Sequence, residues 1–246
     1  MTLLKDLSHL TPDQLSRLLG SMDEGTAAGV LSAFHDEIRV RCNTDGLFWL
    51  RFARTRDEAD PENSTKSFPV HFPYVREIWG ELTTYNKIVI AKSRQMMVSW
   101  ILCAFCCWWA RTKPNQAIYF QSQKDEDANA MVALPGQIYG RCQFIESNLP
   151  GFLRQACKAT EGKLTYPNGS FIQALAGGAD QVRGKVASLI VEDEFAFQPE
   201  ARGVYTAASP LIQKGAKFIA VSTPNGAEGM FAHLFFGTEQ RNYIPA

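Results

Sequence analysis

The sequence predicts an α/β fold in which a mostly parallel sheet is flanked by helices on both faces. Short aliphatic segments alternate with helical segments from about residue 68 onward, and this alternation is typical of βαβ crossovers. The strand segments are rich in aliphatic residues, which indicates a largely parallel sheet with buried strands. Polar and acidic residues follow where several strands end, and ligands bind at that edge of such sheets. We therefore expect the functional residues at the carboxyl ends of the strands.

The predicted core consists of five strands and three helices. The strands are expected at 87–91, 116–121, 170–175, 187–192 and 217–222. The helices are expected at 97–111 and 125–145, with a weaker one at 199–213. We detect no internal repeat and no low-complexity segment.

The segment before the core predicts a helical extension. Thr11 is a suitable N-cap and Pro12 suits the first helical position, and a second amphipathic helix is expected at 26–40. Residues 54–67 are charged and polar and contain Pro61, so they predict a loop or linker. We therefore divide the chain into a helical extension and linker (1–66), a core (67–236) and a C-terminal tail (237–246).

Composition indicates a globular protein in a reducing compartment. Hydrophobic residues make up 46% of the 246 residues and charged residues 20%, and the formal net charge is zero, which argues against a uniformly basic nucleic-acid coat. Six cysteines show no disulfide-scaffold spacing. Cys103 and Cys106 form a CxxC within an apolar helix and are expected to be buried side chains rather than a redox or metal site. No signal peptide or membrane-spanning segment is evident.

The segment "KIVIAKSRQMMVSW" (87–100) predicts a strand, a short loop and the start of a helix, the usual setting of a phosphate-binding loop. It departs from G-x-x-x-x-G-K-[ST], because Lys92 and Met97 occupy the glycine positions and Val98 the lysine position. A cation near the phosphates and a hydroxyl for Mg²⁺ are nevertheless present in Lys92 and Ser99, with Arg94 as a second cation. The alternative is that these cations are solvated loop charges. The nucleotide-binding hypothesis includes the whole loop: Lys92, Ser93, Arg94, Gln95, Met96, Met97, Val98 and Ser99.

The segment "ASLIVEDEFAF" (187–197) is an apolar strand that ends in adjacent acids. In ATPases of this architecture one acid holds Mg²⁺ through water and the next activates the attacking water. We assign these roles to Asp193 and Glu194, although Glu192 leaves a shift by one residue open. A charged turn after a buried strand is the structural alternative.

The segment "KFIAVSTPNG" (217–226) predicts a strand that ends in hydroxyl side chains on the same sheet edge. Such residues can sense the γ-phosphate and relay its presence to the segment that follows. A plain strand before a proline-glycine turn is the alternative. The predicted coupling segment comprises Ser222, Thr223, Pro224, Asn225 and Gly226.

In this order and at these distances, the three segments resemble the ATPase domain of the large terminase subunit of tailed bacteriophages, the motor that pumps DNA into procapsids. "SRQMMVS" is similar to the family's deviant Walker A loop, in which some members carry the lysine at the start, as Lys92 does here. "LIVEDEFAF" resembles the Walker B motif and "STPNG" the coupling motif. The resemblance covers about residues 68–236 and implies a P-loop NTPase fold of the ASCE type.

Two further segments extend the resemblance. "NGSFIQALAGGADQVRG" (168–184) is similar to a strand and loop that precede Walker B in the family. This similarity implies that Arg183 reaches the nucleotide of a neighbouring subunit and that Arg94 acts in cis; for Arg183 the alternative is a loop charge contacting DNA or solvent. "SFPVHFPYVREIW" (67–79) lies where the family contacts adenine, which implies base contacts by Tyr74 and Arg76 unless this stretch serves packing.

Two departures limit the resemblance. The loop has no glycine, which leaves open whether its backbone closes on phosphate without partners. Large terminases also carry a nuclease domain after the ATPase, whereas this sequence ends at "TEQRNYIPA" soon after the coupling motif. We interpret it as a shortened chain or a separately encoded ATPase, and we expect no DNA cleavage from it.

The resemblance implies ATP hydrolysis that drives viral double-stranded DNA into procapsids. ATP and Mg²⁺ are the implied ligands, with Mg²⁺ held by Ser99 and Asp193. Glu194 is the implied general base, and Lys92 with Arg183 of the next subunit stabilises the transition-state charge. The implied partners are double-stranded DNA, the portal protein of the procapsid, the small terminase subunit and further copies in a ring, expected to be a pentamer, although the isolated chain can be a monomer. The implied location is the host cytoplasm, with no membrane partner.

Two other functions fit parts of the sequence. A helicase-like ATPase shares the broad fold, but the STPNG segment and the missing helicase repeat argue against it. An ATPase fold that now serves only as a docking or ring-forming module would explain the absent glycines. The adjacent acids Asp193 and Glu194 argue against that module, because a scaffold needs neither.

Overall fold

The computed structural model of the chain describes residues 12–57, 60, 62–136, 140–237 and 241–243. The predicted N-cap Thr11 lies outside these residues. The strands within them are β1 Arg54–Arg56, β2 Thr65–Ser67, β3 Lys87–Ala91, β4 Ala117–Gln121, β5 Lys158–Thr160, β6 Lys163–Thr165, β7 Phe171–Leu175, β8 Leu189–Asp193, β9 Lys217–Ser222 and β10 Arg241–Tyr243.

The central sheet has eight strands in the order β10-β3-β9-β8-β4-β7-β6-β5. The strands from β10 to β7 are all parallel, and β6 and β5 extend the edge as an antiparallel hairpin. Strand β3 lies beside β9, and β9 lies beside β8. Because neighbouring parallel strands end at the same edge, the loops that follow β3, β8 and β9 meet there.

Helices cover both faces of the sheet, as predicted. They are α1 Pro12–Gly20, α2 Glu24–Thr44, α3 Gly46–Leu50, α4 Pro73–Thr84, α5 Val98–Thr112, α6 Asp125–Val132, α7 Arg141–Ser147, α8 Ala179–Val182, α9 Ala201–Gln213 and α10 Gly229–Phe236. Side chains of α4 to α7 form one apolar core with β-strand residues such as Ile90 and Val191. Side chains of α8 to α10 form a second core on the opposite face with Val89 and Ile190. Within the described ranges, no helix is both long and apolar enough to cross a membrane.

The five predicted strands are confirmed to within two residues, but two other predictions are wrong. Residues 54–67 are not a simple loop, because β1 and β2 pair antiparallel as a small ribbon separate from the main sheet. The predicted helix at 125–145 is instead two helices, α6 and α7. Pro135 explains the break, since a proline disfavours helical geometry in the residue before it, and Gly136 follows with a φ of 126°.

The predicted burial of Cys103 and Cys106 is confirmed. All six cysteines are free, and Cys103 and Cys106 are buried in α5. Burial raises the pKa of the Cys106 thiol well above its usual value, which makes it an unreactive packing residue.

Helices α2 and α3 are packed onto the core rather than set apart from it. Ile38, Trp49 and Leu50 belong to the same apolar cluster as Ile90 of β3. The indole Nε1 of Trp108 also donates a hydrogen bond of 2.8 Å to the carbonyl of Cys42. The division of the chain at residue 66 stays a prediction, but the contacts make residues of α2 and α3 contributors to the stability of the core.

Replacing Trp49 by alanine tests this contribution. Trp49 is fully buried, so its truncation is expected to lower the free energy of unfolding by about 3–5 kcal/mol. Urea unfolding of the variant would measure the change, with Val40→Ala as a control because Val40 is 67% exposed on α2. A loss for Trp49→Ala no larger than that of the control would mean that α2 and α3 contribute little to the core.

Candidate functional site

The loop after β3 is fixed at both ends by backbone contacts. The amide of Lys92 donates a hydrogen bond of 3.0 Å to the carbonyl of Ser222 at the end of β9. At its other end, Met97 is the N-cap of α5, and no described side chain caps the helix. The amide groups of the first turn of α5 therefore remain available to an anion.

The loop contains two left-handed residues although it has no glycine. Gln95 and Met97 adopt the left-handed region, with φ values of 65° and 54°. Met97 is the residue that occupies the second glycine position of the standard pattern. Left-handed geometry costs about 1–2 kcal/mol for a residue with a side chain. The left-handed geometry at these two residues with side chains therefore strains the loop.

Strand β8 separates its terminal acids onto opposite faces of the sheet. Asp193 faces α5, with its Oδ2 atom 3.5 Å from the hydroxyl of Ser99. Glu192 faces the other way and accepts a hydrogen bond of 3.1 Å from Gln198 Nε2. Burial raises the pKa of Glu192 to about 8. The alternative assignment, with Glu192 beside the loop, therefore does not fit the strand's side-chain alternation.

Asp193 is a buried carboxylate with an unused oxygen. Its exposed fraction is 9%, and its Oδ1 atom is buried without a described hydrogen-bond partner. Burial raises the pKa of Asp193, whereas the nearby charges of Lys92 and Arg141 act in the opposite direction. A hydroxyl and an unsatisfied carboxylate oxygen are ligands of the kind that Mg²⁺ uses, so Ser99 and Asp193 fit such an ion.

Glu194 lies at the centre of the site. It adopts left-handed geometry, with φ 49° and ψ 41°. Its Oε1 atom accepts a hydrogen bond of 2.9 Å from Lys92 Nζ. Its Oε2 atom lies 3.3 Å from the Ser222 hydroxyl and 3.5 Å from the Thr223 hydroxyl. The side chain of Lys92 is 11% exposed and that of Glu194 is 34% exposed, so the pair is shielded on the lysine side but open to solvent on the other.

Three side chains of the predicted coupling segment contact residues 194–196. Besides the hydroxyls of Ser222 and Thr223 beside Glu194, the side-chain amide of Asn225 donates a hydrogen bond of 3.3 Å to the carbonyl of Ala196. Pro224 and Gly226 are exposed, and Gly226 has a φ of 77°. Hydrogen bonds therefore join Glu194 and Ala196 to the segment that ends and follows β9.

The predicted arginines lie away from this centre. Arg183 follows α8 at the surface and forms an ion pair of 2.6 Å with Asp180. Arg94 is exposed on the loop, as are Ser93 and Gln95. The geometry brings Lys92, Ser99, Asp193 and Glu194 together but leaves Arg183 facing outward.

A cavity of about 610 Å³ opens beside the loop. Its walls come from the β1–β2 ribbon, the loop and the starts of two helices, and its lining residues are Thr55, Arg56, Asp57, Lys66, Ser67, Pro69, Gln95, Met97, Trp100 and Arg141. Tyr74 and Arg76 are not among these described lining residues. Tyr74 is half-buried and stacked on Phe72 at 5.9 Å, and Arg76 is exposed on α4, so base contacts by this pair stay a prediction.

Sequence reasoning missed Trp100 and Arg141 as lining residues. Trp100 follows Ser99 and could have been found as a neighbour of the loop. Arg141 starts a different helix, and no motif marks it. Its place in the cavity depends on how α7 packs against α5, which the sequence pattern does not reveal.

Comparison with known proteins identifies one family model. The model described as "Terminase large subunit, T4likevirus-type, N-terminal" matches residues 89–241, more than half of the chain. The match begins within β3 and includes the loop, both acids of the site and the coupling segment.

Solved structures share the fold at low sequence identity. The HK97 bacteriophage large terminase is 12% identical, with a TM-score of 0.54 over 76% of this chain and 38% of that one. The large terminase of the thermophilic bacteriophage D6E, in complex with ADP, is 15% identical, with a TM-score of 0.52 over 66% of this chain and 41% of that one. A point mutant of the Thermus phage P74-26 large terminase ATPase domain is 14% identical, with a TM-score of 0.50 over 67% of this chain and 69% of that one. The matched region thus spans less than half the length of the HK97 and D6E proteins.

Proposed function

Because this chain belongs to the family of terminase large subunits, matching the T4likevirus-type N-terminal model, we propose that it hydrolyses ATP to drive viral double-stranded DNA into a procapsid. The observation that carries the proposal is the convergence of Lys92, Ser99, Asp193 and Glu194 at the edge where β3 and β8 end. These four side chains supply a cation, a hydroxyl and two carboxylates, which are the groups that phosphoryl transfer requires.

The nucleotide would lie across the loop and extend into the adjoining cavity. Its phosphates would meet the free amides at the start of α5 and the ammonium group of Lys92. Its nucleoside would enter the cavity between the loop and the β1–β2 ribbon, whose volume of about 610 Å³ is in the range of small-molecule sites. The ADP complex of the related D6E terminase supports nucleotide binding in this fold.

Ser99 and Asp193 would hold Mg²⁺. When bound, the ion neutralises charge on the phosphate oxygens. Asp193 is suited to this because its Oδ1 atom is buried and has no described partner. Binding of a cation would also compensate for the burial of the carboxylate.

Glu194 would act as the general base. It would accept a proton from a water molecule while the water oxygen forms a bond to the γ-phosphorus. The bond from that phosphorus to the bridging oxygen breaks, and its electron pair leaves with ADP. Lys92 must exchange its ion pair with Glu194 for a contact with phosphate before Glu194 can perform this role. The Ser222 and Thr223 hydroxyls beside Glu194 would register the change and pass it to residues 224–226.

Arg183 would complete the site of a neighbouring subunit. Its side chain is 66% exposed and pairs only with Asp180 among the described residues, so it can reach outward without breaking a buried contact. This arrangement would require a homo-oligomeric ring, which we expect to be a pentamer. The ring would assemble on the portal of the procapsid, in the host cytoplasm. Double-stranded DNA and the small terminase subunit would be further partners.

A site completed between subunits predicts hydrolysis that depends on protein concentration. Mg²⁺-dependent ATPase activity per subunit should rise with concentration for the wild type, whereas Arg183→Ala should stay at the level of dilute protein. Mixing Arg183→Ala with Glu194→Gln should restore part of the activity, because some interfaces then combine an intact base with an intact arginine. Steady-state phosphate release across a concentration series measures the activity of the wild type, of Arg183→Ala and of the mixture.

Arg202→Ala is a matched control, since Arg202 is exposed on α9. Activity that is independent of concentration and insensitive to Arg183→Ala would exclude the trans role of Arg183. Failure of the wild type to bind ATP at any concentration would favour the docking module. Unwinding of duplex DNA with a defined polarity would favour the helicase-like ATPase.

A further inference from the structure

Arg141 is held in a fixed place at the start of α7, beside the cavity. The preceding Gly140 passes against the end of α6 so closely that an added Cβ would meet the backbone of Ala133 at 2.5 Å. Only glycine allows this approach, which places the first residue of α7 against α5 and α6. The position of Arg141 therefore follows from packing and not from a mobile surface conformation.

Neighbouring side chains hold the guanidinium group of Arg141 in place, but no described carboxylate neutralises its charge. It lies over the ring of Trp100, at 5.6 Å from the ring centroid. Its Nη1 atom is 2.9 Å from the Sδ atom of Met131, which is a weak acceptor. Its Nε atom is buried without a hydrogen-bond partner in the described part of the chain. No described carboxylate forms an ion pair with it.

A cation in this situation indicates a missing anion. Arg141 is partly buried, and its buried Nε atom is a donor of the kind that is normally paired in proteins. Arg141 lines the cavity beside the loop, together with Gln95, Met97 and Trp100. An anion between Arg141 and the loop would satisfy the arginine without displacing Asp193 from Ser99.

We propose that Arg141 binds a phosphate group of the nucleotide within the same subunit, by donating hydrogen bonds from its guanidinium. This inference rests on the proposed function, since it assigns a further residue to the same nucleotide site. The planar guanidinium suits two parallel hydrogen bonds to phosphate oxygens, and the cation–π contact with Trp100 holds the group beside the cavity. Arg141 would thus be the cis cation on the cavity side, while Lys92 is the cation on the side of Glu194.

Nucleotide titrations of the Arg141→Ala variant test the proposal. Calorimetric binding of ATP and of ADP should be measured both in EDTA and in excess Mg²⁺, for the wild type and the variant. We expect Arg141→Ala to weaken both nucleotides by about 10-fold or more in both conditions, since a charge-assisted contact to phosphate is lost. Arg141→Lys should recover only part of the affinity, because lysine keeps the charge but not the planar pair of donors. Arg202→Ala should bind as the wild type does.

Two results would overturn the proposal. Unchanged affinity of Arg141→Ala in EDTA would show that Arg141 does not touch phosphate. A loss confined to the Mg²⁺ titrations would show that it acts through Asp193 instead. Wild-type protein that binds neither nucleotide would reject the proposed function itself, whereas wild-type binding with an unaffected variant rejects only this inference. If Arg141→Ala does not fold, as judged by thermal unfolding, Arg141→Gln keeps the aliphatic stem and is expected to show the same loss.

Discussion

The Glu194→Gln variant is expected to bind ATP with wild-type affinity and to hydrolyse it about 10²–10⁴ times more slowly, the usual contribution of a general base. Glutamine keeps the size of the side chain and can still accept hydrogen bonds from the Ser222 and Thr223 hydroxyls, which lie 3.3 and 3.5 Å from Oε2. It cannot take a proton from water at neutral pH. Asp193 and Ser99 remain in place, so metal-dependent binding should persist.

Single-turnover hydrolysis with protein in excess over ATP separates this effect from slow product release, and calorimetry measures the binding. Glu161→Gln is a suitable control because Glu161 is exposed in the turn between β5 and β6. A rate for Glu194→Gln near that of the wild type would mean that another group accepts the proton.

Glu192→Gln distinguishes the two acids directly. Glu192 is fully buried, it lies on the face of the sheet away from the loop because it alternates with Asp193, and burial raises its pKa to about 8. Burial favours its neutral form, and glutamine is a neutral group of similar shape. We expect its hydrolysis rate to stay within a few-fold of the wild type. A large loss in Glu192→Gln with a small one in Glu194→Gln would reverse the assignment.

The sequence predicts the central sheet well because most residues of its central strands are buried. Apolar segments such as 217–222 are stable only in the buried interior of the fold. Their composition therefore indicates that they are core strands and where in the chain these strands lie. The acids at the end of β8 are likewise predictable, since alternation along a strand decides which one faces α5. The structure adds the contacts of Glu194 with Lys92 and Ser222, which bring together three segments that are distant in the chain.

The predictions fail where tertiary packing outweighs local pattern. The strands β1 and β2 have three residues each and polar composition, so no periodicity reveals them. The left-handed geometry of Gln95 and Met97 is also hidden, because a residue with a side chain rarely adopts it. Arg141 enters the site only through the close approach of Gly140 to α6. None of these features has a signal in a single sequence.

The Lys92→Ala variant is expected to lose both nucleotide affinity and turnover. Lys92 is the one cation of the loop whose side chain is nearly buried, at 11% exposure, and Arg94 is exposed. A preorganised donor to the reacting phosphate contributes about 10²–10³ in rate, and removing its charge should also weaken ATP binding about 10-fold. Lys158→Ala is a matched control, because Lys158 is exposed on β5.

The ion pair between Lys92 and Glu194 gives the Lys92→Ala variant a second effect that can be measured. Without Lys92, the carboxylate of Glu194 loses its 2.9 Å partner before nucleotide binds, so the two residues should not act independently. The double variant Lys92→Ala, Glu194→Gln should therefore lose less activity than the product of the two single losses. Strictly multiplicative losses would argue that the pair has no role in the reaction. An unaffected Lys92→Ala would reduce residues 92–99 to an ordinary strand-to-helix connection, because no other loop cation is placed to replace Lys92 beside Glu194.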